Sequence, residues 1–156
     1  MITAAEKGRH LVFTIGDEED SIAIRVPPLP HKEGGELFAL WVEVKFESQE
    51  PEDATALGTA LAKKALGDAF DDLDVLRSAE SNVVANAAIL WNIGGGGIEF
   101  VDEYLANGLE AAHEKYLKDT GLYAMYAVQK ASFEAMTADL MAGLTAPPQT
   151  ADSPSE

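Results

Sequence analysis

The sequence contains no cysteine, which excludes disulfides, thiolate metal ligands and cysteine nucleophiles together. It is poor in positive charge: 11 Lys and Arg stand against 27 Asp and Glu, a formal net charge of −16. No basic patch interrupts that balance, so phosphate backbones are repelled and no nucleic-acid partner is expected. Long apolar runs are missing too, and nothing approaches the roughly 20 residues that span a bilayer. The first ten residues, MITAAEKGRH, lack the apolar core of a signal peptide. The expectation is a cytosolic protein with no membrane partner.

Catalytic signatures are equally scarce. His10, His31 and His113 are scattered, and none has an acid, base or ligand partner at a spacing such as H-E-x-x-H. There is no G-x-S-x-G nucleophile elbow. The run Gly94-Gly95-Gly96-Gly97 is no phosphate cradle, because a helical pattern precedes it and Ile98-Glu99 follows, an acid where a cation is needed. Asp68, Asp71, Asp72 and Asp74 fit no calcium loop, and helix capping and solubility explain them better; the acids of Gly16 to Asp20 fit none either and read as a solvated loop. No catalytic residue, cofactor-binding residue or metal ligand is nominated, and the chain is expected not to be an enzyme.

What is present is a chain of 156 residues, 47% of them hydrophobic, enough for one domain with a modest core. Residues 1–9 read as a flexible N-terminus, 10–144 as a single hairpin-plus-helices domain, and 145–156 as a disordered polar tail. Two runs of strand formers, His10 to Gly16 and Ser21 to Val26, flank a polar loop and predict an antiparallel hairpin. Pro27 to Pro30 ends the second strand and forms a rigid connector. The fold class expected is mainly α with a small N-terminal β-hairpin, an α+β arrangement built as a compact helical domain.

Helical periodicity follows. Leu37, Leu40, Trp41 and Val44 predict a helix, although Val42 to Glu47 alternates like a strand. Pro51 suits the first turn of the next helix, with Ala54, Leu57, Leu61 and Ala65 as its stripe. Phe70, Leu73 and Leu76 or Arg77 line a further short face. Ser81 is the expected cap of a helix whose apolar face is Val84, Ala87, Ala88 and Trp91. The four glycines hinge it to a second helix, from Ile98 to a cap at Asn107-Gly108, with Trp91 packed near the join. Leu109 to Lys118 continues helically, with Glu110, Glu114 and Lys118 at i,i+4 spacing.

The last helix is expected from Leu122 to Ala142, ending at Gly143. Its stripe is Leu122, Met125, Tyr126, Phe133, Met136, Leu140 and Leu144. The methionines favour an adaptable contact surface, while core packing or a homo-oligomer seam explains the same spacing. Tyr126, Phe133, Met136 and Leu140 are the nominated partner-binding residues.

Short words along the chain resemble the tail assembly chaperones of long-tailed, siphovirus-type phages of actinobacterial hosts. They are IRVPPLP from Ile24 to Pro30, ELFALW from Glu36 to Trp41, ALGDAFDDL from Ala65 to Leu73 and ANAAILWNIGG from Ala85 to Gly95. The resemblance covers about Ile15 to Gly108. It implies a protein that binds the tape measure protein, keeps that long helical polypeptide soluble, and helps recruit the major tail tube protein. It further implies a host-cytoplasmic protein that leaves before the virion matures, and a longer frameshifted form of the same chain as a partner. The other reading kept open is a structural or adaptor component of the virion acting through helix-mediated oligomerisation.

Overall fold

The segment Ile2–Lys7 forms a first strand, β1, paired antiparallel to β2, His10–Ile15. The chain is seen here in a computed structural model that describes residues 1–46, 51–93 and 97–145. The N-terminal segment expected to be flexible is therefore strand from its second residue. Its composition, ITAAEK, hides this, because alanine, glutamate and lysine are weak strand formers. Pairing overrides that propensity: every residue from Ile2 to Lys7 has a partner on β2, and the Gly16 N–H donates to the Met1 carbonyl at 3.0 Å. Gly8, at φ 64°, takes the first place of a two-residue hairpin loop, a conformation glycine adopts without strain.

The expected hairpin is the second one. β3, Ile22–Val26, pairs antiparallel with β2, giving a three-stranded sheet in the order β1-β2-β3. Leu11, Phe13 and Ile15 on β2 and Ile24 and Val26 on β3 are buried, while Thr14, Ala23 and Arg25 are exposed. One face thus rests on helices and the other, apart from the buried Val12, largely meets solvent, the half-buried pattern of an antiparallel sheet.

Six α-helices follow among the described residues. α1 spans His31–Phe46, starting before the expected stripe and running through Gly34 and Gly35. The apparent alternation at its end is helical. α2 spans Pro51–Leu66, as the position of Pro51 predicts. Gly67–Val75 is a 3₁₀ helix; Phe70 and Leu73 on it, and Leu76 just beyond it, recur every third residue and are all partly buried. Residues three apart eclipse in that geometry, which leaves Asp68, Asp71, Asp72 and Asp74 exposed.

α3, Ser78–Ile93, is the hub: it packs on α1, α2, α5 and β2, and on α4, Ile98–Asn107. Its predicted face is fully inside, with Val84, Ala87 and Ala88 at 0% exposure and Trp91 at 3%. The two alanines let neighbouring backbones come close. Ser81 is not the cap. The helix starts at Ser78, the Arg77 N–H donates to the Glu80 carboxylate at 2.9 Å, and Ser81 Oγ donates to the Leu73 carbonyl at 3.2 Å. An acid three residues into a helix commonly serves this way. The hinge glycines Gly94 to Gly96 lie outside the described residues. α4 ends at Gly108, φ 98°, as expected. α5, Leu109–Thr120, carries a Glu114–Lys118 pair at 3.4 Å, and Gly121, φ 79°, closes it. α6, Tyr123–Thr145, passes through Gly143 rather than stopping there.

Candidate interaction surface

The left-handed Gly121 turns the chain out of α5, and Leu122 is its last half-buried contact before α6 begins. α6 is 23 residues long and packs chiefly on α5. Such a helix measures about 34 Å, longer than α5 with its 12 residues can cover. Positions 131, 132 and 134–143 are all exposed. Of the large hydrophobic residues exposed among those described, Val128 (68%), Met136 (64%), Leu140 (65%) and Met141 (54%) all belong to α6. Met136 and Leu140 are therefore outside the core of this chain. The side chains of Tyr126 and Phe133 lie outside the described residues, as does the tail from 146 onward.

Charge sets α6 apart as well. It holds only Lys130, Glu134 and Asp139. Residues 1–122 carry 10 Lys and Arg against 23 Asp and Glu, a net −13 of the chain's −16. An apolar, nearly neutral rod thus projects from a strongly acidic body. Apolar exposure concentrated on one element marks a contact surface.

A second group of side chains gathers where α1, α4 and α5 meet. Trp41 on α1 meets Tyr116 edge-on at 5.3 Å between centroids, and Tyr116 meets Phe100 of α4 at 5.4 Å. Trp41 also packs edge-on against His113 at 5.7 Å, and Lys45 Nζ lies 3.2 Å from His113 Nδ1. Nδ1 accepts from the ammonium, which places the ring proton on Nε2. Burial, and then the neighbouring Lys45 charge, pushes the His113 pKa down to about 4. Burial also lowers Lys45, with Glu110 opposing. These groups edge a cavity of about 270 Å³ that Val44, Leu61 and Ile89 make largely apolar. Sequence spacing could not have paired Lys45 with His113, 68 residues apart.

Elsewhere, Asp17, Glu18, Glu19 and Asp20 of the β2–β3 loop line one cavity together with Arg77 and Glu80. His10 lies 3.4 Å from Arg25 on the exposed sheet face, and His31 starts α1. Among the described residues no three His, Asp or Glu side chains come together as a metal-ligand set, and no helix is long and apolar enough to cross a membrane. No protein family, curated protein or solved structure matches the chain.

Proposed function

We propose that this protein is a non-enzymatic assembly chaperone that covers a long helical client through α6. The client is the tape measure protein of a long-tailed phage. The observation that carries this reading is the exposure of Met136 and Leu140 on a nearly neutral helix attached to an acidic body. A client helix laid along α6 removes apolar surface from water at about 25 cal/mol per Å². The acidic body then keeps the pair soluble. Recruitment of the tail tube protein, a longer frameshifted form, residence in the host cytoplasm and departure before the virion matures all belong to the same proposal.

Co-expression tests it. The tape measure protein is expected to stay soluble with this chain and to precipitate without it, and the complex is expected to survive salt that dissolves ionic contacts. An unchanged soluble yield would contradict the reading. The virion-component reading is favoured by the same exposed helix, and mass spectrometry of purified particles separates the two, because a chaperone is absent from them.

A further inference from the structure

The cavity beside Lys45 and His113 holds about 270 Å³ and is lined from α1, α2, α3 and α5. An apolar cavity of about 150 Å³ already accepts benzene, so this one has room for an aromatic ring and a short arm. Val44, Leu61 and Ile89 supply apolar wall, and Trp41 adds an indole. None of the described lining residues belongs to α6.

Gly58 helps to keep this space open. It lies midway along α2, where glycine is less favourable than alanine. No left-handed backbone angle calls for a glycine there, and a Cβ at this position would meet nothing within 4 Å among the described residues. Gly58 is itself exposed, which puts it at the mouth of the cavity and gives a ligand its entry.

Three polar side chains reach the same cavity: Lys45, Asn86 and His113. The His113 Nδ1 accepts from Lys45 at 3.2 Å, so its Nε2 carries the proton and all three side chains are N–H donors. Lys45 is the one ammonium among the described lining residues, in a chain of net −16. Burial lowers its pKa, with Glu110 opposing, and an ammonium deprived of water gains from an anionic partner. A mainly apolar cavity with a few converging polar groups is the usual form of a small-molecule site. We propose that this cavity binds a small apolar carboxylic acid, an aromatic ring on a short acid arm. The ring lies against Trp41, Leu61 and Ile89, and the carboxylate meets Lys45. This site does not depend on the role proposed for α6.

Titration of the full-length protein with 3-phenylpropanoate, followed by amide NMR, tests the site; 3-phenylpropanamide serves as the uncharged isostere. The acid is expected to shift the Gly58 and Asn86 resonances with a Kd of about 0.1 to 1 mM. The amide is expected to bind about tenfold more weakly. Lys45→Met, which keeps the apolar stem, is expected to reduce the acid to the level of the amide and leave the amide unchanged. Gly58→Leu fills the mouth and is expected to weaken both ligands at least about tenfold, with an unfolding midpoint no lower than wild type. Acid shifts that never saturate, equal affinities for acid and amide, an acid preference that survives Lys45→Met, or wild-type binding by Gly58→Leu would each overturn the proposal. Client binding is read separately by co-expression, so the failure of one leaves the other standing.

Discussion

The indole N–H of Trp91 donates to the Glu6 carboxylate at 2.9 Å, tying the hub helix α3 to the edge strand β1 across 85 residues of sequence. Trp91 is 3% exposed, so core packing accounts for the ring and the hydrogen bond for its polar corner. Glu6 itself is on the surface. Glu6→Ala is expected to cost about 1 kcal/mol, and Glu6→Gln, which keeps an acceptor, less than half of that. Chemical denaturation of the three proteins checks the order; equal losses for both variants would show that packing of the longer side chain, not the acceptor, matters.

Asn92 is used more completely. Its Nδ2 donates to the Ala65 and Ala88 carbonyls at 2.9 and 3.1 Å, and its Oδ1 accepts from the Leu29 N–H at 3.3 Å. One amide thereby joins the proline connector, the end of α2 and α3. Asn92→Asp removes both donors and turns a carboxylate toward two carbonyl oxygens. It is expected to cost about 3 kcal/mol, more than Asn92→Ala at about 2 kcal/mol. Thermal unfolding of the two variants ranks them, and the reverse order would contradict this account of the amide.

His113 makes stability depend on pH. Its pKa is about 4 in the folded chain, against 6.5 for the free side chain, so the unfolded state takes up the proton first as pH falls. Its contribution is fully present above about pH 6.5 and is lost as pH falls through the folded pKa near 4, a change of up to about 3 kcal/mol. Carboxylates titrate over part of the same range, so the informative quantity is the difference from His113→Leu. Wild type is expected to lose stability faster than the variant between pH 6.5 and 4. Parallel curves would show that His113 has the same pKa in the folded and unfolded chain, and that burial does not lower it.

Much of the architecture was legible because periodicity reports burial directly. Val84, Ala87, Ala88 and Trp91 on α3 were identifiable from spacing alone, and Gly108 as a helix end from its residue type. β1 was not, since ITAAEK becomes a strand only through its pairing with β2, and Gly8 was the one local sign of that hairpin. Ser81 was misread because an oxygen-bearing residue beside an apolar face looks like a cap, whereas Glu80 turned back on Arg77 one turn earlier. The stripe of α6 was visible, but spacing cannot say what covers a helix. The surroundings of Met136 and Leu140 had to be seen in three dimensions.

Because Met136 and Leu140 are exposed, replacing both with Asp is expected to change stability by no more than about 0.5 kcal/mol per site. Retention of the wild-type unfolding midpoint by the double variant checks this. A large loss would mean that α6 folds back on the body in solution.

The most direct measurement is the soluble yield of the tape measure protein co-expressed with wild type or with the Met136→Asp, Leu140→Asp variant. The account predicts soluble client with the wild type and precipitated client with the variant, at equal levels of the two chains. Equal client solubility with both would contradict it, and would place the client-binding surface away from α6.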